Sequence, residues 1–460
     1  MPNKREMEGN LIDKYNKPGP RYTSYPTVPF WKNEPLVLSA WINFLGKNIE
    51  IFDSKPISLY IHLPFCESLC TFCGCHKRIT KNHQVEEPYL AAVKKEWALY
   101  KNQFAFNPEI KELHFGGGTP TFFPADKLID LVQYIFEAES VNSDEHELSF
   151  EAHPNNTNSE HLLKLYTFGF RRLSLGIQDY SPVVQKAIHR IQSFEQVKKV
   201  HDEARNIGYK SISHDLVFGL PKQTLADIMD TVEKTLLLQP DRISLYSYAH
   251  VPWIKGNGQR GFDESDLPDG EEKRKLYETA KSKLLEEGYI EVGMDHFAKP
   301  KDDLAIAFKN KTLHRNFMGY TTKSTAMMIG LGASSISDSW FAFAQNEKSV
   351  EKYQEIVSKG IIPIYRGHLL SETDLIIRKY ILDLMCKFET ELSNDGDLAP
   401  IHTAIKKELQ EMVEDNLVLI NGNHVLVTET GVPFVRNVCM AFDQNLSPES
   451  QNQRLFSKTI

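Results

Sequence analysis

The stretch ISLYIHLPFCESLCTFCGC (57–75) decides how the rest of this 460-residue chain is read. Five of its first seven residues are β-branched, aromatic or apolar, the composition of a buried strand. Four of the chain's six cysteines follow within ten residues, at 66, 70, 73 and 75. Tight clustering in a large chain points to metal or redox chemistry, whereas disulfide frameworks scatter cysteines along small secreted domains. The spacing Cys66-x3-Cys70-x2-Cys73 puts three thiolates on one short loop. They can hold three irons of a 4Fe–4S cluster and leave the fourth iron open. Zinc sites usually draw paired C-x2-C knuckles from well-separated segments, so zinc is the weaker reading. Cys75 as a fourth ligand would close the cluster and make it an electron carrier; spacing leaves that alternative open.

Outward from this loop, strand-like runs recur at 110–117, 146–152, 171–178, 211–219 and 242–248, with helical patterns at 87–103, 125–139 and 193–208 between them. Strands alternating with helices imply parallel pairing, and six such units suit a partial or complete βα barrel. Chemistry in such a barrel gathers where the strands end. The exits here read CESLCTFCGC, GGGTP, EAHP, QDY, HD and YAH, nearly all of them polar, metal-capable or glycine-rich.

The flanks differ. Residues 1–50 carry KPGPRYTSYPTVPFW (17–31), whose prolines forbid helix and hold the backbone extended, as an arm across the surface or a lid over a site. Beyond 355, SETDLIIRKYILDLMCKF opens with a capping signal and PIHTAIKKELQEMVEDN is a second helix. LVLINGNHVLV then turns at Asn421-Gly422. Two helices and a hairpin resemble a winged helix, here read as a small packing module because no basic stripe is present. Cys386 and Cys439 lie in apolar surroundings and read as small buried hydrophobes.

Composition narrows the classes. Charged residues are 25% and hydrophobic residues 41%, ordinary for a globular chain and unlike a disordered one. The net charge of −8 argues against a nucleic-acid coat. No apolar run reaches membrane-spanning length, and the first 20 residues lack a signal-peptide core, so a cytosolic location is expected.

The cysteine spacing with Phe72 before the last ligand resembles the loop of radical S-adenosylmethionine (SAM) enzymes. In register over almost the whole chain, GPRYTSYPT (19–27), LYIHLPFCESLCTFCGC (59–75), FGGGTPT (115–121), RLSLGIQDY (172–180), DLVFGLPKQT (215–224), YAHVP (248–252), GMDHFAKPKDDLA (293–305), LHRNFMGYTT (313–322) and RNVCMAFD (436–443) resemble the oxygen-independent coproporphyrinogen III oxidases. The fold this implies is an α/β, partial (β/α)6 barrel at 51–355, with an N-terminal arm at 1–50 and a small α+β, winged-helix-like domain at 356–460. The activity implied is oxidation of coproporphyrinogen III propionates to vinyl groups, by a radical made from SAM at a 4Fe–4S cluster.

The resemblance implies cluster ligation by Cys66, Cys70 and Cys73, with Cys75 not a ligand. It places Tyr60, Gly117, Glu151 and Ile336 about the cluster-bound SAM. A second SAM is implied beside Phe72, Gly118, Thr119, Gln178, Arg190, Asp215 and Ala249. Partners implied are the porphyrinogen, an electron donor and an electron acceptor, with the protein a monomer. Four carboxylates on the substrate call for cations, and Arg21 and Arg315 are candidates. Two positions depart from the family pattern: His153 stands where an acid is common, and Met318 where glutamine is common. Rival readings are a haem-binding chaperone relative and a haem-modifying or methyl-transferring relative. Cys75, the RYTSYPT arm and the GMDHFAKP and HRNFMGYTT stretches favour the oxidase.

Overall fold

The computed structural model describes residues 11–31, 38–52, 56–104, 108–254, 258–259, 261–325, 327–446 and 455–459. Six strands lie side by side in chain order and all run parallel: β1 (Pro56–Leu63), β2 (Glu109–Gly117), β3 (Glu147–Ala152), β4 (Arg172–Gln178), β5 (Ser211–Phe218) and β6 (Arg242–Ser247). The crossovers carry α1 (Glu86–Lys101), α2 (Ala125–Phe136), α3 (Ser159–Phe168), α4 (Phe194–Ile207) and α5 (Leu225–Leu238). Side-chain caps begin the last three: Asn158, Ser193 and Thr224 each accept a first-turn N–H, the caps such residues favour. The strands read from sequence agree with these to within a residue or two.

The sheet is open. Beyond β6 lie antiparallel β8 (His296–Ala298) and β7 (Ile290–Val292), reached through α6 (Gly270–Glu286). On the other side β9 (Met328–Leu331) pairs parallel with β1, followed by antiparallel β10 (Ile336–Asp338), β11 (Ala342–Asn346) and β12 (Ile364–Leu369). Among the described residues the two edges do not pair, and the six units form an arc rather than a closed barrel. These edge extensions have no counterpart in the sequence reading; most of them, at three or four residues, are too short to show a period.

The arc buries Leu59, Ile61, Leu113, Phe115, Phe150, Leu173, Leu175, Ile212 and Ile243 in one core with Trp97, Leu128, Leu165 and Val232 from the helices. A second core joins α7 (Glu372–Lys387), α8 (Ala399–Glu414) and the small sheet of β13 (Glu389–Glu391), β14 (Val418–Asn421) and β15 (His424–Val427). Ser371 and Asp374 form a reciprocal capping box before α7, as the Ser-x-x-Asp signal predicts. Gly422, at φ +62°, makes the predicted hairpin turn. Ile12, Tyr15, Tyr22 and Tyr25 of the arm belong to this second core, so the arm is packed on the C-terminal module as well as crossing the site. Cys386 and Cys439 are buried. No described helix is long and apolar enough to cross a membrane.

Candidate active site

Side chains alternate across a strand, and here the alternation divides apolar from polar. While the leucines and phenylalanines face the helices, a polar lumen is lined by Glu112 and His114 (β2), Ser149 and Glu151 (β3), Arg172 and Ser174 (β4), Ser213 and Asp215 (β5), and Ser244 and Tyr246 (β6). Sequence reading by strand exits missed this ladder, although the period-2 pattern in LSFE, RLSL, SISHD and ISLYS carries the signal.

The thiol loop leaves β1 at the C-terminal rim. Phe65–Cys66 pairs with Arg78–Ile79, closing the loop on itself. His62 ties its far side down, with Nε2 2.9 Å from the His76 carbonyl and Nδ1 3.0 Å from the Tyr60 hydroxyl. Burial pushes the His62 imidazole down to about 4, so it is neutral and joins both groups by hydrogen bonds alone. Cys66, Cys70 and Cys73 are half-buried, Cys75 is exposed, and all four line one cavity of about 630 Å³. Donors reach the sulfurs: Thr119 Oγ1 lies 3.4 Å from Cys66 Sγ, and Arg190 Nη1 3.8 Å from Cys70 Sγ. Lys77 Nζ donates to the Cys73 and Cys75 carbonyls at 3.1 and 3.3 Å. Burial pushes the Cys66 thiol up to about 11. The Cys75 hydrogen bond, against burial and with help from Lys77, pulls Cys73 down to about 6. Three soft thiol ligands on a cavity wall, with hydroxyl and cationic donors at two sulfurs, fit a thiolate-bound iron–sulfur cluster. Among the described residues, no three His, Cys, Asp or Glu side chains gather as they would around a single metal ion.

The glycine run after β2 forms the adjoining wall. Gly117 has φ +117°, and a Cβ there would meet the His62 ring at 2.8 Å. At Gly118 a Cβ would lie 2.6 Å from the Pro64 carbonyl oxygen, so the run docks against the start of the thiol loop and only glycine fits. Glu151 accepts from Gly117 N–H at 3.2 Å and faces His114 Nε2 at 3.6 Å. Burial alone would raise its carboxyl; His114 and the Gly117 N–H outweigh that and hold it below the ordinary carboxylate value. An anionic carboxylate is thus presented beside the thiols, suited to an ammonium group.

Two cavities meet at this wall. Tyr60, Gly117, Glu151 and Ile336 all line one of about 620 Å³. Phe72, Gly118, Thr119, Gln178, Arg190, Asp215 and Ala249 all line the thiol cavity of about 630 Å³. Gly74, Cys75, Lys77, Gly117 and Glu151 border both. Gln178 stands at φ +71°, Arg190 Nη2 donates to the Gly176 carbonyl, and Ser174 donates to Asp215 at 2.7 Å. Burial raises the Asp215 carboxyl above its ordinary value. Of the two departures, His153 lines the thiol cavity and accepts from Asn155 N–H at 3.1 Å. Met318, at the tip of the hairpin His314–Asn316/Gly319–Thr321, lines the other.

Gln259 is a further residue that sequence reading missed. It is 3% exposed, and its amide donates to the carbonyls of Phe72 (3.0 Å) and Ala249 (2.9 Å) and accepts from Val251 N–H (2.6 Å). It thereby staples the thiol loop to the β6 exit. No local signal marks it. Arg21 lines the thiol cavity; Arg315 does not, being buried over the Tyr320 ring at 4.4 Å.

Comparison with known proteins agrees with this geometry. Residues 60–235 match the radical SAM superfamily model. The chain is 39% identical over 457 residues to an oxygen-independent coproporphyrinogen III oxidase of Helicobacter pylori, covering 98% of each chain. It is 37% identical over 466 residues to the enzyme of that name from Synechocystis, covering 99% of this chain and 98% of the relative. The solved structure of Escherichia coli coproporphyrinogen III oxidase, described as a radical SAM enzyme, superposes with a TM-score of 0.86 at 34% identity, covering 95% of this chain and 98% of that one. With near full-length identity well above 30% and the thiol loop at the rim of the same fold, the chain belongs to the oxygen-independent coproporphyrinogen III oxidase family of the radical SAM superfamily.

Proposed function

We propose that this protein oxidatively decarboxylates coproporphyrinogen III to protoporphyrinogen IX without oxygen, with Cys66, Cys70 and Cys73 holding a 4Fe–4S cluster. The observation that carries the reading is that these three thiols open onto a cavity walled by Gly117 and Glu151 in a chain matched end to end by relatives of that name. When bound, the cluster held by Cys66, Cys70 and Cys73 and its SAM would supply a one-electron reductive cleavage giving methionine and a carbon radical able to take a hydrogen from a propionate β-carbon. Loss of CO2 and of one electron to an acceptor then leaves the vinyl group; an external donor supplies one electron for each SAM cleaved.

The chain's own residues bind, orient and shield. Glu151 offers its carboxylate to the SAM ammonium group, while Tyr60, Gly117 and Ile336 shape that subsite. Phe72, Gly118, Thr119, Gln178, Arg190, Asp215 and Ala249 form the wall for a second SAM. Arg190 and Thr119 hydrogen-bond ligand sulfurs and offset cluster charge. The division into an arm at 1–50, a barrel at 51–355 and a C-terminal domain at 356–460 belongs to the same reading.

Anaerobically reconstituted protein given SAM and a reductant should convert coproporphyrinogen III to protoporphyrinogen IX, read by chromatography after oxidation. Unchanged substrate beside an intact cluster would sink the proposal. Cys70→Ser should lose the cluster absorption and Cys75→Ser keep it; equal loss would make Cys75 a ligand.

A further inference from the structure

Three buried or half-buried arginines meet where the arm, the end of β6 and the C-terminal module come together: Arg21, Arg315 and Arg436. Among the described residues, none has a carboxylate within ion-pair distance, and such groups are costly to bury unless something repays them. Arg436 is repaid by backbone. Its guanidinium donates to the carbonyls of Gly19 (2.5 Å), Pro20 (2.9 Å) and Thr459 (3.1 Å), clasping the arm to the C-terminal tail. The clasp is reinforced by Gly19 N–H to Ser457 O at 3.0 Å and Thr459 N–H to Lys17 O at 2.9 Å. Arg315 stacks on Tyr320 and donates to the Arg21 carbonyl at 3.4 Å. Both therefore hold the backbone on either side of Arg21.

Arg21 is different. The one hydrogen bond its guanidinium makes to described residues, to the Ser247 carbonyl at 2.5 Å, anchors one nitrogen at the end of β6. The side chain borders the thiol cavity on one side and a small pocket of about 50 Å³ under the C-terminal module on the other. Asp295, the carboxylate in its field, lines the same small pocket and is engaged by His296 Nδ1 at 2.6 Å. Of the other cations on the thiol cavity, Arg190 is committed through two nitrogens to Gly176 O and Cys70 Sγ, its buried Nε finding no partner among the described residues, Lys77 reaches two loop carbonyls, and Lys81 is exposed to water. A guanidinium held by its neighbours yet without a counter-ion, on a cavity that must take an anion, is a carboxylate receptor.

We propose that Arg21 is the substrate-recognition residue of this cavity, its guanidinium taking one propionate carboxylate of the porphyrinogen while Arg315 and Arg436 keep the arm in place. The inference rests on the reaction proposed above and names the group that selects its substrate. Burial lowers the Lys273 ammonium to about 7 and the Arg436 guanidinium to about 9, and the Arg21 charge adds to both. SAM also carries a carboxylate, so the test must separate the two ligands.

The probe is coproporphyrin III, a fluorescent tetracarboxylate, titrated into anaerobic, cluster-loaded, full-length protein, with its tetramethyl ester as the uncharged control. Arg21→Gln should weaken binding of the tetra-acid roughly ten- to hundredfold, the span expected for one charge-assisted bond. Ester and SAM affinities should stay unchanged, and Arg21→Lys should recover part of the loss. Equal binding of the acid by wild type and Arg21→Gln would overturn the proposal, as would an equal loss for the ester or for SAM. If wild type binds the acid through Arg21 yet converts no porphyrinogen, the reaction reading fails and this inference stands. If wild type converts substrate and Arg21→Gln binds it equally well, the reverse holds.

Discussion

The two ends of the parallel arc use the same alternation of polar residues to opposite purposes. At the N-terminal end, charges close on each other. Arg242 Nε and Asp302 Oδ1 lie 2.7 Å apart with both side chains 5% exposed, and Asp302 also accepts from Ser211 and from Leu304 N–H. Arg172 pairs with Glu147 beside them. At the C-terminal end the charges avoid each other. Glu151 is held by a histidine and a backbone N–H, Asp215 by a serine, and Arg190 and Arg21 by carbonyls. Charges neutralised inside the fold support it. Charges held by neutral partners keep their field for a ligand, which is why chemistry sits at one end of such barrels.

The contrast can be broken most directly at its closed end. Arg242→Ala leaves Asp302 buried without its cation and should cost about 3–5 kcal/mol of unfolding free energy in denaturant titrations. Turnover per folded, cluster-loaded molecule should hold; a fall in turnover with stability intact would erase the division of labour.

Glu96 on α1 tests a case between the two ends. It accepts from Gly332 N–H (2.8 Å), Tyr353 Oη (2.6 Å) and Asn346 Nδ2 (2.6 Å), fixing the loop that leads into Ile336. Burial pushes its carboxyl up from 4.5 to about 7 against those donors. A carboxyl raised on folding contributes stability that is fully present below the unfolded value and lost as pH rises through the folded one. Unfolding free energy should therefore drop by about 2–3 kcal/mol between pH 5 and 8 through this group, and Glu96→Gln should flatten that slope. An unchanged slope in the variant would place the pH dependence elsewhere.

The smallest effect is expected at the open end. Glu151→Gln keeps the shape but removes the charge, and should weaken SAM binding roughly thirtyfold, about 2 kcal/mol, with little change in melting temperature. Unaltered affinity with a lowered melting temperature would reduce Glu151 to a prop for Gly117.

Much of this was legible before the fold. The six parallel strands, their helices, the Ser371 cap and the turn at Gly422 follow from patterns within a dozen residues, where periodicity and capping act. The thiol loop was legible for the same reason, since its candidate ligands lie within eight residues. What the local pattern withheld is contact between distant segments. Residues 328–331 lie against β1 across more than 260 residues of chain, and Gln259 reaches back to Phe72. Arg436 grips Gly19 from the far end of the molecule. Cationic side chains were visible in the sequence as candidates for the substrate, but not which one would face it. Sequence by itself determined the strand–helix order, the cluster loop and the family; the tertiary structure alone decided that the sheet stays open, that two cavities share the Gly117–Glu151 wall, and that Arg21 faces one of them while Arg315 is walled in. The physical reason is range: periodicity and capping operate within a turn or two of chain, whereas burial and charge compensation depend on whatever the fold brings alongside.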